Sequence, residues 1–238
     1  MKMVVVSAHA ADFVWRCGGT MAAYSAAGWD VHVICLSVGV RGESESLWTG
    51  PDGLNAEEIE QIRIEESKAA AAELSATIEF MGLGDHPLVT SSEATLRLAK
   101  ILREHHPDIV LTHLKSDLLS PDHPATYQLT ADAIRLSVVK GTFPEIKPAR
   151  MPELYCFEPD QCSIEMFNPN IYIDITAVAG RKAAAMAAVK SQSALMAPRY
   201  TDRAKFRASL GYVFGHGNVE QAEAFVQCYP WHGTRFPQ

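Results

Sequence analysis

Apolar positions along the chain follow two alternating rhythms. Residues 3–8 and 31–36 are almost wholly apolar and rich in Val and Ile. Such runs mark strands covered on both faces of a parallel sheet. Between them, the Ala-rich segment 18–27 reads as a helix closed by Gly28. This β-α-β unit implies a right-handed crossover. The rhythm then repeats. An amphipathic helix over 56–74 carries Ile59, Ile62 and Leu74 among its apolar positions. A strand over 77–81, a helix over 93–104 and a strand over 109–112 follow, then a helix begun by Pro121 and running to residue 138. Pro144, Pro148 and Pro152 mark a surface loop. Strands over 154–157 and 171–175 lead into a helix over 178–195, and residues 220–227 read as a last helix. The pattern predicts one doubly wound (Rossmann-like) α/β domain over 1–238, with a mostly parallel sheet and helices on both faces.

Composition narrows the picture. A chain of 238 residues that is 47% hydrophobic and 21% charged suits one well-filled globular domain. No apolar run reaches the length of a membrane span, and Met1-Lys2 leads directly into a strand rather than a signal peptide. Cys17, Cys35, Cys156, Cys162 and Cys228 are odd in number and scattered, forming neither a disulfide framework nor a CxxC zinc pattern. The expectation is a cytoplasmic protein that engages no membrane. A net charge of -7 argues against nucleic acid as a partner, yet leaves room for a small anionic substrate met by local arginines.

In doubly wound sheets, ligands bind beyond the carboxyl ends of the strands. The first such end delivers His9 and Asp12, and the second delivers Arg41 and Glu43. The fourth delivers Thr112-His113, then Ser120-Pro121-Asp122-His123. His9, Asp12 and His123 together offer two imidazoles and a carboxylate, a set suited to zinc with one position open. Read alone, a His-x-x-Asp pair is an ordinary loop, and His123 is an ordinary residue of a helix start. His105 and His106 suit the end of a helix, and His32 lies within a strand; none of the three needs a function. Trp15 and Trp48 either wall a pocket or pack, and His216 sits in a glycine-flanked turn.

Ala8-His9-Ala10-Ala11-Asp12 with Gly18-Gly19-Thr20 resembles the opening motif of the PIG-L/LmbE-like deacetylase family, and Ser120-Pro121-Asp122-His123 resembles its second motif. Thinner likenesses run through Ile62-Arg63, Glu65-Glu66, Thr112-His113, Asp174-Ile175, Lys182, Ser191-Gln192 and residues 222–225. The resemblance implies that His9, Asp12 and His123 hold one zinc ion. It also implies that Ala11 replaces the general base of the deacetylases, and that Ser120 replaces the histidine that aids the oxyanion and leaving group. Losing one such proton carrier commonly costs about 10²–10⁴ in rate.

Residues 7–16, with Arg41-Gly42-Glu43-Ser44 and Leu47-Trp48, are similar to one branch of that family, the 4-oxalomesaconate (4-carboxy-2-hydroxymuconate) hydratases of gallate and protocatechuate breakdown. That likeness implies addition of water to a carbon–carbon double bond, with an N-deacetylase of an amino sugar as the alternative. Glu43 is then the candidate base, with Glu45 behind it. Arg16, Arg41 and His113 are the candidates for contact with a small polycarboxylate substrate. Gly18 and Gly19 would either let the start of the first helix approach the anion or serve as packing glycines. Relatives in the family often assemble, so a homo-oligomer is expected.

Overall fold

The computed structural model describes residues 1–49, 53–161, 167–213 and 215–230. Seven strands form one sheet in the order β3-β2-β1-β4-β5-β7-β6. They are β1 (Lys2–Ser7), β2 (Asp30–Cys35), β3 (Thr77–Phe80), β4 (Ile109–Thr112), β5 (Glu153–Phe157), β6 (Ile171–Asp174) and β7 (Ala222–Gln227). Neighbours from β3 through β5 pair in parallel, while β7 runs antiparallel to both β5 and β6. Strand β1 shows why a continuous apolar run belongs here. Met3 and Val5 enter the core on one face, Val4 and Val6 the core on the other. Fully burying each such side chain contributes roughly 1.5–3 kcal/mol.

Helices α1 (Asp12–Ala26), α2 (Glu45–Trp48), α3 (Ala56–Glu73), α4 (Ser92–His105), α5 (Asp122–Val138), α6 (Ala179–Ala188) and α7 (Lys190–Val213) complete the chain. Helix α1 contributes to the Met3–Val5 core together with residues of α3 and α6, and α4 and α5 pack on the other face. Local chemistry explains the starts. Asn55 caps α3 by accepting from Glu57 N–H and Glu58 N–H, and Glu58 accepts the Asn55 N–H in return. Ser91 caps α4 by accepting from Ala94 N–H at 3.1 Å. No helix among the described residues is long and apolar enough to cross a membrane.

Several expectations change. Residues 222–227 are a strand and not a helix; the Ala-Glu-Ala-Phe pattern has helical propensity, but the slot between β5 and β6 overrides it. Helix α1 begins at Asp12 and not at Gly18, so Gly18 and Gly19 lie in its interior. Gly18 faces Leu74, and a Cβ on Gly19 would stand 2.5–2.9 Å from the Ile175 side chain. They are packing glycines, and neither brings a helix start to the site. The segment 178–195 is broken at Val189 into α6 and a longer α7. Cys17, Cys35, Cys156 and Cys228 are free thiols, and Cys162 lies outside the described residues.

Glu223 on β7 secures α1 from below. Its carboxylate accepts from Gly19 N–H at 2.9 Å, from Thr20 N–H at 2.7 Å and from buried Lys182 Nζ at 2.7 Å. The close fit at Gly19 gives a stability prediction. Gly19→Ala should destabilise the fold by about 1–3 kcal/mol through overpacking against Ile175, read as a lowered Tm. An unchanged Tm would contradict the packing described.

Candidate active site

Strand β1 has β2 on one side and β4 on the other, so chain order reverses at β1/β4. A crevice at such a switch point is where this architecture places ligands. Strand β1 ends on a tight loop held by Ser7 Oγ, which donates to the His9 carbonyl at 2.7 Å, and by Ser37 Oγ, which donates to the Ala8 carbonyl at 3.1 Å. The His9 N–H donates to Asp12 Oδ2 at 2.8 Å, in the first turn of α1, where helix amides favour a carboxylate. His123 occupies the matching first turn of α5.

His9, Asp12 and His123 converge. One ligand atom from each lies within 4.8 Å of the other two, and all three residues are buried. His9 Nδ1 stands 3.3 Å from Asp12 Oδ2, and His123 Nε2 stands 3.6 Å from Asp12 Oδ1. The far nitrogen of each ring is bound to a carboxylate: His9 Nε2 to Asp122 Oδ2 at 3.0 Å, His123 Nδ1 to Asp117 Oδ2 at 2.7 Å. The near nitrogens, His9 Nδ1 and His123 Nε2, are buried without a hydrogen-bond partner. Two unsatisfied lone-pair positions beside a carboxylate, each on a ring oriented from behind by another carboxylate, fit a divalent cation.

The electrostatics agree with that fit. Burial works against charge on His9, but Asp12 and Asp122 outweigh it and raise its pKa to about 10. Burial alone would raise the Asp12 carboxyl; the His123 and His113 imidazoles hold it well below the usual range. A pocket that draws a proton this strongly draws a cation for the same reason. Ala11 is buried at the start of α1, and Ser120 Oγ is buried without a partner. A methyl group and an alcohol thus stand beside the convergence point in sequence.

Glu43 reaches the cluster from the loop after β2, its Oε1 3.7 Å from His9 Nδ1. Gly39, at φ +71°, makes the approach possible, since a Cβ there would fall 2.8 Å from Glu43 Cβ and 3.2 Å from His9 Cβ. Asp85 pins the loop by accepting from Val40, Arg41 and Gly42 N–H at 3.1, 2.8 and 2.9 Å. On the other side, Gln192 Nε2 donates to Glu43 Oε2 at 3.0 Å, and Gln192 Oε1 accepts from buried Arg63 at 2.9 Å. Glu43, Glu45, Ser191, Gln192 and Arg199 help line a cleft of about 520 Å³.

The remaining candidates are placed differently. Arg16 is buried, and its guanidinium faces Asp12 Oδ1 at 3.3 Å, the Glu158 carbonyl at 2.8 Å and Asp160 at 3.5 Å. It holds the cluster from within. His113 is also buried: its Nε2 accepts from Ala8 N–H at 3.0 Å, and its ring stacks on His123 at 4.0 Å. Burial and the neighbouring His123 push its pKa well down, so it supports the ligands as a neutral ring. Arg41 is exposed on the rim. Trp15 packs on Tyr200 in the core, Trp48 Nε1 donates to the Val40 carbonyl at 2.7 Å, and His216 lines a separate groove beside α7. Sequence reasoning missed Asp117 and Asp85 and read Asp122 only as a helix-start residue; its place in the Ser-Pro-Asp-His motif was the available signal.

A model of the PIG-L family, described as GlcNAc-PI de-N-acetylase, matches residues 4–134. The chain belongs to the PIG-L family. Within it, the chain is 38% identical to a 4-oxalmesaconate hydratase of Pseudomonas putida over 81% of this chain and 74% of the relative. It superposes on the crystal structure of the 4-carboxy-2-hydroxymuconate hydratase from Pseudomonas putida with a TM-score of 0.95, at 34% identity and over 100% of both chains. A deacetylase of Rhodococcus erythropolis, acting on 1D-myo-inositol 2-acetamido-2-deoxy-alpha-D-glucopyranoside, is more distant at 26% identity, over 69% of this chain and 63% of that one. This PIG-L chain is therefore most similar, among these relatives, to the hydratases.

The hydrogen bond behind His123 can be tested separately from any reaction. Asp117→Asn should weaken divalent-metal affinity by about 10–100-fold, measured by competition with a chromogenic chelator. Affinity equal to the unsubstituted protein would remove Asp117 from that role.

Proposed function

We propose that this PIG-L chain is a zinc-dependent hydratase. Its substrate is 4-oxalomesaconate or the enol tautomer 4-carboxy-2-hydroxymuconate, and its product is 4-carboxy-4-hydroxy-2-oxoadipate, in gallate and protocatechuate degradation. The observation that carries the reading is a combination at one mouth. The three metal-binding side chains are kept, Ala11 stands where a deacetylase has its base, and a carboxylate arrives from another loop as Glu43. The likeness to the hydratases supports the same reaction.

His9, Asp12 and His123 would hold the ion, and zinc suits two imidazoles and one carboxylate. When bound, the ion supplies Lewis-acid charge for carbonyl and enolate oxygens of the substrate. Glu43 takes the proton from the water whose oxygen bonds to one carbon of the double bond, the neighbouring carbon gains a proton as the enolate collapses, and Gln192 orients the Glu43 carboxylate through its Oε2. Hydration expels no amine, so the reaction has no need of a leaving-group acid at Ser120. Arg199 in the cleft and Arg41 on the rim are the cations offered to a small anionic polycarboxylate. Arg16 serves the same chemistry indirectly by steadying Asp12. The homo-oligomer is kept in this proposal: Leu195, Phe206 and Val213 are exposed along α7 at spacings that place them on one stripe.

Consumption of 4-carboxy-2-hydroxymuconate by the metal-loaded protein, followed by loss of conjugated-diene absorbance, tests the reaction. A stable absorbance would sink the hydratase reading, and amine release from an N-acetylglucosamine derivative would install a deacetylase in its place. Glu43→Ala should keep its metal and lose about 10²–10⁴ in turnover. Wild-type rates in that variant would exclude Glu43 as the base.

A further inference from the structure

A second His-carboxylate cluster stands at the other end of the sheet. His32 on β2, Glu79 on β3 and His105 in the last turn of α4 each offer a ligand atom within 4.8 Å of the others. His32 Nε2 lies 3.0 Å from Glu79 Oε1, and His105 Nε2 lies 3.9 Å from the same oxygen. A tetrahedral ion with bonds of about 2.0–2.2 Å separates neighbouring ligand atoms by about 3.3–3.6 Å, between those two distances. The rings stack at 4.3 Å, 24° from parallel.

Three features make this more than a chance meeting of surface side chains. His32 is buried and its Nδ1 is fixed by Thr77 Oγ1 at 2.7 Å, which leaves Nε2 to face Glu79. His105 turns Nε2 toward the same Glu79 oxygen while its buried Nδ1 has no hydrogen-bond partner. Lys2, the nearby cation, is neutralised by Asp30 at 3.0 Å.

We propose that His32, Glu79 and His105 form a second metal site, for a divalent ion of the zinc class, at the amino-terminal side of β2 and β3. Two imidazoles favour zinc and its transition-metal neighbours over magnesium or calcium, which seek oxygen. The fourth position is left to solvent at the half-exposed Glu79. The ion ties the last turn of α4 to the edge strand β3, which has a paired neighbour on one side only. The site shares no residue with the catalytic cluster and does not rest on the hydratase reading.

Equilibrium dialysis of the full-length protein against micromolar zinc chloride, with metal counted per chain, tests it. The wild type should bind one more zinc than His105→Ala, and His123→Ala should keep the edge ion. Glu79→Gln, at a half-exposed position remote from the core, is the second variant and should lose the same ion. Zinc should also raise the Tm of the wild type more than that of either edge variant. An equal count in wild type, His105→Ala and Glu79→Gln overturns the proposal, as it would if an extra ion sat at His9, Glu43 and His86 instead. A difference seen only at millimolar zinc marks an adventitious ion only and overturns it too.

Discussion

The Asp12 carboxylate is the constraint on which the rest of the site depends. Burying a carboxylate costs several kcal/mol unless partners surround it. Here the His9 N–H and the Arg16 guanidinium donate to it, and the rings of His113 and His123 stand 3.4 and 3.6 Å from its oxygens. Each of those partners is tied elsewhere in turn. Arg16 reaches the Glu158 carbonyl after β5, and the Glu158 carboxylate is bound by Arg207 of α7 at 2.8 and 2.9 Å. His113 reaches back to the Ala8 amide on the first loop. One acidic side chain at the head of α1 thus joins β1, β4, β5 and α7 around the mouth of the sheet.

Charge is arranged in shells around that point. Asp12 and Glu43 face the two unsatisfied ring nitrogens, and Asp117 and Asp122 stand behind the rings. Asp122 is itself satisfied by the His86 and Leu88 amides at 3.0 and 2.8 Å, which lets it remain ionised behind His9. Four carboxylates answered by Arg16 and shared imidazole protons leave a local deficit of positive charge. The negative field follows from this local arrangement, and the modest net charge of the whole chain says little about it.

Much of this was legible in the residues, and the failures have physical causes. Valine-rich runs identified β1 and β2, because burial on both faces leaves few polar positions to suggest another period. Strand β7 escaped because its Ala and Glu positions carry helical propensity, and its pairing partners are remote in the chain. The convergence of His9, Asp12 and His123 was readable from the resemblance to the family's two motifs together with the strand-end rule, and spacing alone would have left it an ordinary loop. The burial of Arg16 was not readable, since a guanidinium near a predicted ligand suits either a substrate arm or Asp12. Asp85 gave no signal, because a carboxylate that accepts three successive backbone amides has no sequence pattern of its own.

That last anchor bears on how a scaffold of this kind can exchange one reaction for another. The loop after β1 that carries His9 is braced by Ser7, Ser37 and His113, whereas the segment bearing Glu43 hangs from Asp85. Asp85 takes no part in holding His9 and Asp12, although Ser37 joins the two loops at their bases. In the proposed hydratase, the candidate base and the candidate metal seat would thus be written in different stretches of chain.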